Sequence, residues 1–272
     1  MKKNLILYDV HTFGADFDRE IKRLDAQVNL FWNVESEYYK RVGVGNCTAL
    51  VDLGCGTGRL LKHLADLFPD LTLTGVETDA SLIDIAKFAF AGNGRVPSFI
   101  NSSVQNTMLP DALFDVAVLR LVLEHLPDPD KAILEARRIL KPGGKIIAID
   151  NDFDFHVRTW PGIPKLDDYY MAYCAARERQ GGHPRIGRRL PELLLKAGFL
   201  NVNLDVLCAH NKIVGDELFL QSEGQNVPLQ LVKTGWFDDK TFFSMKKNWA
   251  AMFREPDHVI VRPMFYAVGE VL

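Results

Sequence analysis

The segment Ala49-Leu50-Val51-Asp52-Leu53-Gly54-Cys55-Gly56-Thr57-Gly58-Arg59-Leu60-Leu61 restricts the fold of this chain more than any other. An apolar run ends in an acidic residue, passes through three glycines at alternate positions, and opens into a helical pattern with Leu60, Leu61, Leu64 and Leu67 on one side. Glycine carries no Cβ, so a strand, tight turn and helix N-terminus of this composition let a ligand approach bare backbone. The spacing departs from the dinucleotide fingerprint G-x-G-x-x-G, because Arg59 follows Gly58 and the run reads G-x-G-x-G. Such a turn suits a nucleoside-bearing ligand without a pyrophosphate.

The pattern on either side extends the argument. Phe17, Ile21, Leu24, Val28 and Phe31 recur at helical spacing and predict a helix over 16–41. Strands are predicted at 71–76, 98–101, 114–119 and 145–149, with helices at 81–91 and 129–140. Residues 114–119 are continuously apolar, as a strand buried on both faces requires. Pro129 stands in the first turn of its helix, and Lys141-Pro142-Gly143-Gly144 stops it. This alternation implies an α/β fold with a doubly wound, mostly parallel sheet and helices on both faces. Ligand should sit beyond the carboxyl ends of the strands, where the strand order reverses. Past residue 150 the pattern reads as loop (153–164), helix (165–180), a break at Gly181-Gly182-His183-Pro184, helix (188–197) and strand (200–207), with a last strand at 259–268. The intervening 209–256 is too long for a structureless loop and should carry helices, foremost over 238–253.

Composition excludes several functions. A net charge of −3 gives no basic footprint for nucleic acid. Cys47, Cys55, Cys174 and Cys208 are scattered without a C-x-x-C pair, which argues against a zinc site or disulfide framework and fits a cytoplasmic location. The opening Met-Lys-Lys-Asn-Leu-Ile-Leu is broken by Tyr8, Asp9 and His11 and is not read as a signal peptide, and no apolar run reaches membrane-spanning length.

Four features then stand in a fixed order: the glycine turn; Glu77 in Thr74-Gly75-Val76-Glu77-Thr78-Asp79; Ser103-Val104 after the third strand; and Phe114–Asp128 followed by Leu134–Gly144. Together they resemble the class I, seven-stranded S-adenosylmethionine-dependent methyltransferases of the small-molecule type. The resemblance covers 49–150 well and the remainder only as a general layout. It implies a seven-stranded Rossmann-like sheet whose last two strands form a hairpin with a short connection; this chain adds the N-terminal helix and, at 209–256, a helical insertion before the last strand. It also implies one domain over 1–272, with a cap helix in 1–45, a cofactor core in 46–152, and a substrate-side half in 153–272 with its insertion at 209–256. The cofactor implied is S-adenosyl-L-methionine, with S-adenosyl-L-homocysteine as product. Its sites are Asp52, Gly54, Cys55, Gly56 and Gly58 around the turn, Glu77 and Thr78 at the ribose, Ser103 and Val104 at the adenine, and the backbone of Arg120 and Leu121 near the methionine end. Ser103 stands where an acidic residue is common in the family, with Ser102 as a substitute for that role. Glu77 has a second reading, as cap of the following helix, a role for which Asp79 is equally placed.

A sulfonium makes the methyl group electrophilic, so alignment of the nucleophile supplies most of the catalysis, and a base helps where the nucleophile is a hydroxyl or an acidic carbon. His125, after the fourth strand, is the catalytic candidate, although a histidine there also serves in the resembled family to order the turn. His156, His183, His210, Tyr8 and His11 are further candidates in segments that could cover the pocket. A metal site would use Asp150-Asn151 with carboxylates after the fourth strand, but Arg120-Leu121-Val122 supplies none before Glu124, so no metal is expected. Arg185, Arg188 and Arg189 could hold an acceptor carboxylate or form a solvated basic face. Trp160, Tyr169, Tyr170, Tyr173, Trp236, Phe237, Phe242, Phe243, Trp249 and Phe253 read either as core or as the lining of an apolar pocket. The expected partner is a small-molecule methyl acceptor, with no nucleic acid and no membrane, and the aromatic insertion fits either a lid or a homodimer face. The alternatives are a cofactor-binding regulatory protein without turnover and another transfer, such as aminopropyl transfer, on the same fold. The intact set of Asp52, three glycines and Glu77 argues against the first, and Arg120 in place of a carboxylate argues against the second.

Overall fold

Alternate residues of the central strands belong to opposite cores. Leu50, Val116, Val118, Ile147 and Ile149 join one apolar cluster, while Val51, Leu53, Ala117, Leu119, Ile146 and Ala148 join the other. That period of two is what a sheet covered on both faces demands. The computed structural model describes residues 11, 17–92, 95–223 and 226–272, with backbone only at 226 and 227. Its elements run α1 (Phe17–Arg41), β1 (Ala49–Leu53), α2 (Arg59–Leu67), β2 (Thr72–Glu77), α3 (Ala80–Ala89), β3 (Ser98–Asn101), β4 (Phe114–Arg120), α4 (Pro129–Ile139) and β5 (Leu140–Asp150). They continue with β6 (Arg158–Trp160), α5 (Leu166–Arg179), α6 (Leu190–Lys196), β7 (Leu200–His210), α7 (Asn211–Val214), α8 (Asp216–Glu223), α9 (Asn226–Lys233), α10 (Asp239–Met252) and β8 (Val259–Glu270).

The sheet order is β3-β2-β1-β4-β5-β8-β6, and β7 pairs with β8. The five strands from β3 to β5 are parallel, and β8 runs antiparallel to β5, β6 and β7. Order reverses between β1 and β4, so their carboxyl ends flank the crevice where ligands bind in open α/β sheets.

Three departures from the sequence reading have local causes. Among the described residues there are eight strands rather than seven, because Arg158–Trp160 pairs with Val259–Val261 inside a stretch read as loop. Three residues are too few to show an alternation. Lys141–Gly144 lies within β5 as an irregularity, since Leu140 pairs with Phe114 and Lys145 with Val116. The third concerns α1, whose Phe17, Ile21, Leu24 and Val28 are only partly buried, while Glu20, Arg23 and Glu35 are buried. The helix covers a cavity instead of a solid core, which leaves its apolar stripe half open. The insertion carries helices as expected, and α10 begins where the Asp238 carboxylate accepts from Thr241 N at 2.8 Å. Its α8 packs along α1, and α9 packs on α5.

Candidate active site

The glycine turn stands at one end of a cavity of about 1050 Å³. Gly54, Gly56 and Gly58 all have positive φ (85°, 50° and 73°). A Cβ on Gly54 would fall 2.5 Å from Val122 Cγ2, and one on Gly58 would fall 2.8 Å from Ala86 Cβ, against the α3 backbone. Around Gly56 a Cβ would meet nothing within 4 Å, so this position faces open space in the cavity. The two outer glycines serve packing and the middle one leaves room for a ligand. Gly56→Ala should therefore cost only the left-handed strain, about 1–2 kcal/mol, while losing affinity for whatever lies on the turn. Gly58→Ala adds the clash with α3, and urea denaturation should show the larger loss. A greater loss for Gly56→Ala would contradict this division.

Glu77, at the end of β2, is held by backbone. Its Oε2 accepts from Gly56 N (3.1 Å), and its Oε1 from Thr78 N (2.7 Å) and Asp79 N (3.1 Å). Capping of α3 belongs to Asp79, whose Oδ1 accepts from Ser81 N (2.8 Å) and Leu82 N (3.4 Å). The carboxylate of Glu77 thus lies at the cavity wall, aimed by the turn. Next to it, Asp52 is 2% exposed. Burial pushes its carboxyl up to about 7, with Glu77 and Glu35 adding to the rise and Arg120 opposing it. Ser103 and Val104 line the same end, Ser103 Oγ accepting from Gln105 N at 3.2 Å. Ser102 does not line the cavity; its hydroxyl donates to Asn106 O at 2.8 Å. Cys55, Thr78 and Leu121 also reach the cavity.

The fit to a nucleoside with a cationic tail rests on three observations: a turn open only at Gly56, a carboxylate fixed at a strand end, and a buried acid beside it. α1 closes over this end. Asp25 binds both Thr57 Oγ1 and the Arg59 guanidinium, which pins α1 to the turn. The side chain of Arg120 binds to α1. Its Nε donates to Glu35 Oε1 (3.0 Å) and its Nη2 to Gln27 O (2.9 Å), while Tyr266 Oη donates to the same Glu35 oxygen (2.8 Å). No sequence pattern announced Glu35, since a charged residue on an amphipathic helix ordinarily reads as solvent-facing.

The far end of the cavity lies under α1, α5 and α8. Tyr169, Tyr170 and Tyr173 come from α5, Glu223 from α8, and Phe153 and His156 from the segment after β5. Below them runs a buried polar chain: Asn151 Nδ2 donates to Glu124 Oε1 (2.8 Å), and Arg262 Nη2 to Asn151 Oδ1 (3.2 Å). Burial pushes the Glu124 and Asp150 carboxyls up, and the Glu124 charge adds to the rise at Asp150. His125 lines the cavity from a short turn after β4, with Nε2 3.7 Å from Glu124 Oε1. Burial holds its ring well below the usual imidazole range, and Arg177 and Arg23 add to that. It is neutral at neutral pH.

Several sequence candidates fall elsewhere. Tyr8 lies outside the described residues. His11 reaches the cavity mouth, 2.9 Å from Asp79 Oδ2. His183 and His210 do not line the cavity. Neither do Arg185, Arg188 and Arg189, which bind Asp154 and Glu178, Asp152 and Asp154, and Glu192 respectively. Asp152 and Asp154 are thereby engaged too, and the described residues hold no group of His, Cys, Asp and Glu with metal-site geometry. Of the insertion's aromatics, Phe237 and Phe242 are core and Phe243 is exposed, and none lines the cavity. Its aromatic wall comes instead from α5 and Phe153. Among the described residues no helix is long and apolar enough to cross a membrane.

Residues 51–148 match the family profile of a methyltransferase domain. Sterol 4-C-methyltransferase of Caenorhabditis elegans is 34% identical over 142 residues, which cover 47% of this chain and 42% of that protein. Demethylmenaquinone methyltransferase of Chlamydia pneumoniae is 30% identical over 135 residues, covering 50% of this chain and 56% of that one. The chain thus spans about half the length of these curated relatives. The solved structure of Haemonchus contortus phosphoethanolamine N-methyltransferase 2 in complex with S-adenosyl-L-methionine matches 97% of this chain and 60% of that one, with a TM-score of 0.59 at 17% identity. That last likeness is one of fold.

Proposed function

We propose that the chain carries a domain of the class I S-adenosylmethionine-dependent methyltransferases, as the match over residues 51–148 supports, and that it methylates a small organic acceptor held under α1, α5 and α8. The observation that carries this reading is the continuity of the cavity: it runs from the glycine turn and Glu77 to the α5 tyrosines without a break. Residues 46–152 then serve the cofactor, the helix in 1–45 caps it, and 153–272 shapes the acceptor chamber.

In this reading Glu77 accepts from the ribose hydroxyls, Thr78 follows it at the rim, and Ser103 and Val104 meet the adenine. Gly54, Cys55, Gly56 and Gly58 present backbone to the methionine end, with Asp52 opposite its amine and Arg120 and Leu121 supplying main chain below. The bound cofactor supplies an electrophilic methyl group on a sulfonium. The chain's own part is to orient the acceptor in line with that methyl, to exclude water by closing α1 and the insertion over it, and to hold a base where the acceptor has a proton to lose. His125 and His156 are the two neutral cavity histidines available as that base.

Two measurements test the reading. S-adenosylhomocysteine should raise the thermal midpoint, since a ligand at 100 times its Kd adds about 2.7 kcal/mol, whereas NAD should not. The reverse pattern would assign the turn to a dinucleotide. Affinity should also depend on pH through Asp52. Its carboxyl is largely protonated below about 7, and a cationic amine binds the ionised form. Affinity should therefore rise with pH between 5 and 7, by at most about tenfold per unit, and Asp52→Asn should flatten the rise. A wild-type affinity that does not change over this window would remove Asp52 from the amine site.

A further inference from the structure

The roof of the cavity holds a titratable pair that cofactor binding does not use. His156 Nε2 lies 3.2 Å from Glu223 Oε2, and Arg262 Nη1 lies 3.1 Å from Glu223 Oε1. The Glu223 carboxyl stays ionised, held low at about 2 by Arg262 and His156 against the effect of its burial. An ionised carboxylate only accepts, so Nε2 carries the ring hydrogen and Nδ1 keeps its lone pair. The ring cannot readily turn: it stacks on Phe153 (centroids 4.2 Å apart, 17° between planes) and meets Tyr170 edge-on (5.3 Å, 69°). Nδ1 is buried and has no hydrogen-bond partner among the described residues. A buried, oriented, unpaired acceptor beside a ligand cavity is what a hydroxyl donor would fill. The walls around it are aromatic: Phe153, Tyr169, Tyr170 and Tyr173.

We propose that His156 is the general base for an acceptor carrying a hydroxyl on an aromatic ring, with Glu223 as the positioning residue that fixes the tautomer of His156. The proposal rests on the methyltransferase reading above. As the acceptor oxygen bonds to the methyl carbon, the carbon–sulfur bond breaks and its electron pair stays on sulfur. The hydroxyl proton passes to His156 Nδ1. The positive charge of the sulfonium is thereby replaced by an imidazolium beside the Glu223 carboxylate, and the proton leaves to solvent when the product departs.

The probe is 4-nitrophenol, whose absorption reports its ionisation and hydrogen bonding, titrated at pH 6 into protein saturated with S-adenosylhomocysteine. Nitrogen-15 spectra of the histidine rings should show His156 as the Nε2–H tautomer, with Nδ1 shifting when the probe is added. His156→Phe keeps a ring stacked on Phe153 but removes the lone pair. It should bind the probe at least tenfold more weakly while keeping the wild-type affinity for S-adenosylhomocysteine. Glu223→Gln should fall between the two, with the tautomer no longer fixed. The proposal is overturned if the cofactor product binds and 4-nitrophenol does not, if His156→Phe binds the probe as well as the wild type, or if Nδ1 carries the proton. Failure of S-adenosylhomocysteine itself to bind the folded wild-type protein would instead overturn the cofactor reading, and this proposal with it.

Discussion

Replacing Glu35 by alanine should lower the free energy of unfolding by about 3–5 kcal/mol, the usual cost of stranding one partner of a buried ion pair. Glu35 is 0% exposed on α1 and accepts from both Arg120 and Tyr266. Without it, Arg120 at the end of β4 keeps a buried guanidinium with, among the described residues, the carbonyl of Gln27 as its remaining acceptor, and the Tyr266 hydroxyl loses its acceptor. Glu35→Gln keeps the shape and one acceptor and should lose less. The double replacement Glu35→Leu with Arg120→Leu removes both charges and should recover much of the loss, because apolar pairs of similar volume avoid the desolvation penalty. Urea denaturation of the four proteins measures this. A single-variant loss under about 1 kcal/mol, the scale of an exposed pair, would mean that α1 is not docked on the sheet through this pair. The same contact places α1 over the cavity, so the variant should also weaken ligand binding.

Glu77→Ala should have the largest effect on the cofactor site. A hydrogen bond to a charged group contributes about 1.5–3 kcal/mol, and the proposed geometry gives the carboxylate two ribose hydroxyls. The loss should exceed about 100-fold in affinity for S-adenosylhomocysteine, at about 1.4 kcal/mol per factor of ten. Stability should change far less than for Glu35→Ala, because Glu77 is only half-buried at the cavity wall. Glu77→Gln, which can accept at one oxygen only, should lie between. Calorimetric titration reads the affinities directly. An affinity retained within about threefold in Glu77→Ala, roughly 0.6 kcal/mol, would place the ribose elsewhere.

The cofactor half was legible in the sequence because its chemistry is carried by backbone and by strand ends. Gly54, Gly56 and Gly58 are required by positive φ, and Asp52 and Glu77 by their positions at the ends of β1 and β2. Such constraints are local, so they leave a local pattern. The acceptor half was not legible, since its wall is assembled from α1, α5, α8 and the segment after β5, far apart along the chain. Glu223 and Arg262 are unremarkable until α8 and β8 bring them to His156. Arg185, Arg188 and Arg189 stand in a basic run, yet each is engaged by a nearby carboxylate. The insertion carries helices, with Phe242, Phe243 and Trp249 on α10, but Phe237 and Phe242 fill core and the cavity takes its tyrosines from α5. A helix with a mixed face, such as α5, gives no period from which to tell core from cavity.

The crystal structure of the complex with S-adenosylhomocysteine tests the central claim most directly. Both ribose hydroxyls should lie on the Glu77 carboxylate, with the nucleoside against Gly56, the adenine between Ser103 and Val104, and the sulfur facing the chamber of Tyr170 and His156. A nucleoside bound away from Glu77, or a sulfur turned from that chamber, would contradict it.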